Sequence, residues 1–150
     1  MSVRIVDRDL GFTKKIEKLK ELSNIKITAG IHEDTGFNDG VRVVDYAIWN
    51  HYGTKKIPSR PFLSISFDKN NGWYDDIINT QNNIVDKDYN KSIALIKLAD
   101  KVKRDIQTVI KQGVSPPNAP STIKKKKSSK TLIDTGVMLS KVNYKIRYEK

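Results

Sequence analysis

The sequence predicts a single α+β domain in which a small, mostly antiparallel sheet is covered by one long amphipathic helix. Residues 24–32 and residues 141–148 alternate apolar and polar side chains, a period typical of strands with one buried face. Between them, residues 89–112 repeat apolar side chains at helical spacing. A chain of 150 residues is long enough for one hydrophobic core, so we expect one domain over residues 1–150.

The first half of the chain begins with an amphipathic helix at residues 9–22. Its apolar side chains must pack against another element: Phe12, Ile16 and Leu19. After the first strand, residues 33–40 are rich in Gly, Asp and Asn and favour an exposed loop. A second helix follows and ends at Gly53. Its predicted buried face consists of Val44, Ala47, Ile48 and Tyr52.

Two prolines shape the middle of the chain. Pro58 and Pro61 fix φ and lack an N–H group, so residues 55–61 should form an extended connector. After Pro61 the apolar residues alternate as in a strand, yet proline also suits the start of a helix, so both structures remain open. Farther on, Trp73, Ile77 and Ile84 extend a helical face.

The long helix at residues 89–112 is predicted to be central to the core, and Gly113 is placed to end it. Burying its six apolar side chains would contribute on the order of 10 kcal/mol before the entropy cost of ordering them. This stripe comprises Leu95, Leu98, Val102, Ile106, Val109 and Ile110.

Composition changes sharply at residues 115–130. Prolines there precede a run of four lysines, Lys124, Lys125, Lys126 and Lys127. A segment so charged and so poor in apolar groups cannot bury enough surface to hold itself in place, so we expect a mobile basic arm before the C-terminal strand. The lysines could neutralise DNA phosphates, or they could form a solvated loop that contacts nothing.

Composition also limits the classes of function. The chain has no cysteine, which excludes disulfides and cysteine-ligated zinc. Its apolar runs are shorter than the roughly 18 residues of a membrane-spanning helix, so we expect a soluble protein made in the cytoplasm, without membrane contact. The net charge of +11 suits nucleic acid, an acidic protein surface or long-range steering, without choosing among them.

Residues suited to catalysis are few. The only imidazoles are His32 and His51. His32 precedes Glu33 and Asp34, but adjacent strand residues point to opposite faces, so this triplet is a poor chelator. The sequence contains neither a nucleophile elbow nor a phosphate-binding glycine loop. We therefore expect no catalytic residue, no metal and no cofactor.

Residues 57–63 combine stiff backbone with side chains suited to recognition. Arg60 could bind a partner's carboxylate while Phe62 and Leu63 provide apolar anchors, with little entropy lost on docking. Alternatively, Phe62 and Leu63 fill the subunit's own core and Arg60 caps an internal carboxylate.

Four motifs occur in a fixed order. The first is the turn Tyr52-Gly53-Thr54, and the second is the string Pro58-Ser59-Arg60-Pro61-Phe62-Leu63. The third is a Pro-Pro-Asn stretch at residues 116–118 with Ser-Thr-Ile at 121–123. The fourth is Leu132-Ile133-Asp134-Thr135-Gly136, and a final strand follows it. In this order they resemble the tail-completion, or head-tail joining, proteins of long-tailed bacteriophages, over most of residues 25–148. The chain departs from that pattern at Tyr52, at Asn50-His51 and at Thr131, where proline is usual.

The resemblance implies a structural virion protein, not an enzyme. Its expected place is the neck, where a ring of identical subunits joins the head to the tail. Its expected partners are copies of itself, head-completion or portal-side proteins, and tail tube or terminator proteins, with possible non-specific DNA contact. The alternative is a small basic nucleic-acid-binding protein, and a hydrolase ranks third.

A closed ring requires a heterologous interface, in which one patch meets a different patch on the next subunit. We place it at Arg60, Pro61, Phe62 and Leu63 and at the lysines of the arm. The resemblance also favours a helix after Pro61. Gly53, Pro58 and Gly136 are expected to be structural, and Asp134 and Thr135 to cap a short helix at residues 136–140.

Overall fold

The computed structural model describes residues 9–126 and 129–149. These residues form α-helices and short strands, with single 3-10 turns at Glu33–Thr35 and Asn71–Trp73. In chain order the elements are α1 (Phe12–Ser23), β1 (Ile25–Gly30), β2 (Phe37–Asn38), β3 (Val41–Arg42), α2 (Val43–Tyr52), α3 (Phe62–Lys69), α4 (Tyr74–Val85), α5 (Lys91–Gln112), α6 (Pro120–Lys126), α7 (Val137–Ser140) and β4 (Asn143–Tyr148).

The predicted α+β architecture is confirmed. Strand β1 pairs with β4 in antiparallel register, with Ile25 opposite Tyr148 and Gly30 opposite Asn143. Helix α5 packs against both strands. A two-stranded sheet is marginal in water on its own, so the sheet depends on α5 for its apolar cover. Residues 33–40, expected as a loop, also contain β2 of a small hairpin with β3.

Helix α5 ends at Gln112 as predicted and begins at Lys91, two residues later than predicted. The side chain of Asn90 accepts a hydrogen bond from the backbone N–H of Ile93 at 3.1 Å, which caps the first turn. Gly113 ends the helix with φ 85°, in the region that glycine tolerates. The buried residues of the helix are Leu95, Ala99, Ile106, Val109 and Ile110.

Residues after Pro61 form helix α3, so the helical expectation is confirmed and the strand alternative is wrong. Phe62 is 1% exposed and belongs to the main core with Ile110 and Val142. Phe67, which the strand pattern would bury, is 45% exposed. Successive residues of an α-helix are rotated by about 100° around its axis. Apolar residues that alternate in the sequence after Pro61 therefore do not all lie on one face of α3.

The predicted buried face of α2 is wrong in part. Ile48 and Tyr52 are exposed, whereas Val43 and His51 are buried together with Val44 and Ala47. The residues that follow the helix fold back over its His51 side: the Ser59 hydroxyl donates to the His51 carbonyl at 2.8 Å, and the Phe62 ring lies edge-on to the imidazole. This tertiary contact determines which face is covered.

Helix α1 lies at the periphery. None of its residues is buried, and Phe12 is 69% exposed. Ion pairs attach it to its neighbours: Lys15 with Asp86 at 2.8 Å, Lys18 with Asp88, and Lys91 with Glu21 at 2.6 Å. Among the described residues, no helix has the length and apolar character needed to cross a bilayer.

We expect Phe62→Ala to lower the free energy of unfolding by about 3–5 kcal/mol, because it removes a fully buried ring and leaves a cavity. Urea unfolding followed by circular dichroism measures this change. Phe37→Ala is the matched control, since Phe37 is 70% exposed and the loss should stay near 0.5 kcal/mol. Equal losses in the two variants would contradict this description of the core.

Candidate functional site

The turn after α2 has a geometry that only glycine fits. Gly53 has φ 82°, and a Cβ placed there would lie 2.9 Å from the backbone nitrogen of Ser59. The loop closes on itself because the N–H of Thr54 donates to the carbonyl of Ile57 at 2.7 Å. It then returns to α2, where the N–H of Arg60 donates to the carbonyl of Asn50 at 2.7 Å. The structural role predicted for Gly53 is thereby explained.

Arg60 lies at the centre of this region and is 5% exposed. Its Nε donates to the carbonyl of Pro116 at 2.8 Å, and its Nη2 lies 3.3 Å from both the carbonyl of Pro117 and Oδ1 of Asn118. Burial lowers the pKa of the guanidinium from its ordinary value, but arginine remains protonated in proteins. We call these four residues the Arg60 clamp.

The structure contradicts the first alternative drawn from the sequence and bears out the second only for the apolar side chains. Arg60 is not displayed for a partner, and its acceptors are carbonyl and amide oxygens, not an internal carboxylate. Phe62 lies in the core, and Pro61 and Leu63 are half-buried. The proposed anchor string Arg60 to Leu63 therefore belongs mainly to the subunit's own framework, because Arg60 and Phe62 are both buried.

The ends of segment 115–130 are joined next to the clamp. Asn118 is 7% exposed, and its Nδ2 donates to the carbonyl of Lys130 at 3.0 Å. The N–H of Val114 donates to the hydroxyl of Thr131 at 2.9 Å. Thr131 stands where the resembling family has proline, so this departure provides the acceptor for a buried N–H group.

The basic segment differs from the expected arm. Pro120–Lys126 forms helix α6, and the residues before it are held by the clamp. The side chains of Lys124 and Lys125 are exposed. Lys126 contributes its backbone to α6, while Lys127 lies outside the described residues.

The motif at residues 132–136 lies beside α2, the helix that the backbone of Arg60 also contacts. Leu132 is 6% exposed in the main core. Asp134, Thr135 and Gly136 line a cleft of about 200 Å³ beside Tyr46 and Asn50 of α2. Helix α7 begins after Gly136, which has φ 82°, and no side chain in the described ranges caps it. The predicted caps at Asp134 and Thr135 are therefore wrong: glycine in a left-handed conformation makes the turn into α7.

A second concave feature is an open cavity of about 960 Å³ that is lined by residues of α1, β1, α2, α3, α4 and α5. Most of its lining is apolar: Leu19, Ile25, Leu63, Trp73, Ile77 and Val102 are examples. His51 is at its wall, with Nε2 3.5 Å from the Ser64 hydroxyl and Nδ1 buried without a partner. Burial lowers the pKa of His51. Among the described residues no carboxylate forms a hydrogen bond with this imidazole, unlike the histidine of a catalytic triad.

His32 lies apart from this cavity, with Nε2 3.1 Å from the Thr28 hydroxyl. Within residues 9–126 and 129–149, no group of three or more His, Asp or Glu side chains could hold a metal ion. Sequence reasoning missed Asn118 and Thr131, because nothing in the sequence connects either to residues that lie 12 to 58 positions away. Comparisons with protein-family models, with curated proteins and with solved structures gave no match.

We expect Arg60→Ala to lower the free energy of unfolding by about 2–3 kcal/mol, because it removes the buried charged donor of three hydrogen bonds. The loss of stability in Arg60→Lys should be smaller than in Arg60→Ala but still measurable, since an ammonium keeps the charge and cannot reproduce the planar fork of the guanidinium. Urea unfolding measures the stability, and hydrogen exchange should accelerate at the amides of Val114 and Asn118. Arg147→Ala is the control, since Arg147 is exposed. Unchanged exchange at Val114 and Asn118 in Arg60→Ala would refute the clamp.

Stability should fall as the pH is lowered from 7.5 to 5.5. The pKa values of His51 and His32 are lowered by burial from their ordinary value of 6.5, so the unfolded chain binds more protons in this window. Replacing both with Gln should flatten the dependence measured by urea unfolding at several pH values. Each histidine contributes at most about 1.4 kcal/mol per pH unit. An unchanged slope in the double variant would show that other groups are responsible.

Proposed function

We propose that this chain is a structural subunit that joins the head of a long-tailed bacteriophage to its tail, assembling as a ring in the neck of the virion. The observation that carries the proposal is that the resembling motifs form one physical unit. The Gly53 turn, the Arg60 clamp and residues 132–136 all fold against the C-terminal part of α2 or against one another.

Such a unit suits a protein that works by fitting against neighbours. Its prolines and its buried arginine fix the path of two loops, so the surfaces that they carry are presented in a defined geometry. The ring interface is then expected outside the framework: on exposed α6 and at the outer edges of β1 and β4, which in the described part of the chain pair only with each other. The partners would be further copies, head-completion or portal-side proteins, and tail tube or terminator proteins.

We also propose that the protein transforms no substrate. His51 is the histidine nearest to a cavity, and its neighbours are the rings of Tyr52 and Phe62 and the hydroxyl of Ser64. Burial favours the neutral imidazole, and within the described part of the chain no carboxylate forms a hydrogen bond with it.

The alternative is a protein whose whole role is to bind nucleic acid. The net charge of +11 favours it. The two functions differ in what happens when the gene is removed: a joining subunit is required for particle assembly, whereas a protein that only binds DNA is not.

The test is deletion of the gene from a phage genome that carries it, followed by electron microscopy of the lysate. We expect filled heads and separate tails, with joining restored by the wild-type gene supplied from a plasmid. A plasmid encoding Phe62→Ala should restore less joining than one encoding Phe37→Ala, since the first weakens the core. Joined, infectious particles in the deletion lysate would overturn the proposal.

A further inference from the structure

The Arg60 clamp brings together two stretches of chain that contain no acidic residue. Residues 46–67 lie between Asp45 and Asp68, and residues 106–133 lie between Asp105 and Asp134. Arg60 belongs to the first stretch, and its three acceptors belong to the second. Because these contacts are direct, the two acid-free stretches meet at the clamp.

Exposed lysines are concentrated there. Those without a carboxylate partner in the described part of the chain are Lys55, Lys56, Lys111, Lys124 and Lys125, which we call the basic pole. Most other lysines for which the described residues provide no such partner lie close in sequence to acidic residues: Lys20 next to Glu21, Lys69 next to Asp68, Lys87 between Asp86 and Asp88, and Lys97 and Lys103 on either side of Asp100. Lys141 is the exception. Positive charge is therefore least compensated at the pole.

The basic pole is small enough to follow one segment of nucleic acid. Lys56 is four residues from Arg60, which limits the distance between their Cα atoms to about 14 Å, and Lys124 is six residues from Asn118, a limit of about 22 Å. The ammonium of Lys130 donates to the carbonyl of Lys111 at 3.2 Å, which holds the end of α5 beside the same segment. Duplex DNA presents one negative charge per about 1.7 Å of its axis.

We propose that the basic pole binds the phosphate backbone of double-stranded DNA without sequence preference, and that Arg60 and Asn118 are positioning residues for it. Lysines suit this role because they neutralise phosphates as flexible point charges and release condensed counterions. An acidic protein surface is the less favoured partner, since lysine is depleted at protein interfaces whereas arginine is enriched, and the only arginine within the two stretches is buried. This inference is separate from the joining role, because the isolated protein can be tested.

The test measures binding of the purified full chain to a fluorescent 30-base-pair duplex by anisotropy, between about 50 and 300 mM salt. The variant K55A/K56A/K124A/K125A should bind about 10 to 100 times more weakly at 100 mM salt, with a shallower salt dependence, since each lost phosphate contact removes about 0.9 from the slope. A duplex of unrelated sequence should bind the wild-type chain equally well.

The control variant, K20A/K87A/K97A/K103A, removes the same charge from the rest of the surface and should change the affinity by less than about threefold. Equal weakening in the two quadruple variants would show that binding depends on net charge alone, and would overturn the proposal that the basic pole is the binding site. No binding to duplex by the wild-type chain at 50 mM salt would also overturn it. Displacement of DNA by polyglutamate at equal charge concentration would indicate an acidic partner instead.

The positioning role has its own readout. Asn118→Ala keeps every charge but removes the clamp's link to Lys130, so we expect three- to tenfold weaker binding and a smaller salt slope. Ile106→Val, a modest change in the core, controls for lost stability and should bind as the wild type does. Wild-type affinity and slope in Asn118→Ala would refute positioning. Particle joining, scored separately for each variant, distinguishes failure of this inference from failure of the joining role.

Discussion

The buried guanidinium of Arg60 is the interaction on which the second half of the fold depends. A charged group that is 5% exposed requires compensation, and here the carbonyls of Pro116 and Pro117 and the amide of Asn118 provide it without a counter-charge. Proline has no N–H group to donate, so these carbonyls belong to backbone that forms few hydrogen bonds of its own. The arginine thus provides the donors, and the proline segment the acceptors, of the same hydrogen bonds.

From this contact the organisation extends in two directions. Toward the core, Phe62 lies two residues after Arg60, begins α3 and packs in one cluster with Ile110 of α5, the helix that also covers the sheet. Toward the surface, Asn118 and Thr131 join the ends of the segment that contains α6. One side chain therefore links the apolar interior to the most basic region of the molecule.

Much of the fold could be predicted from the sequence, because the local spacing of apolar residues indicates the main helices and strands. The spacing of Leu95, Ile106 and Ile110 placed α5, and alternation placed β1 and β4. The side chains around Arg60 could not be placed in this way. Their partners are 56 to 58 residues away, and α2 turns His51 inward only because Ser59 and Phe62 fold back on it. Burial of Arg60 also contradicts the usual exposure of arginine.

The peripheral position of α1 has consequences for the dynamics of the molecule. The helix has no buried residue, is attached largely through ion pairs, and forms one wall of the apolar cavity. Its detachment would cost little apolar burial, which makes it an independently opening unit in the hierarchy of local unfolding events. Raising the ionic strength would weaken these exposed ion pairs and favour detachment of α1, while the interior around Phe62 stays folded.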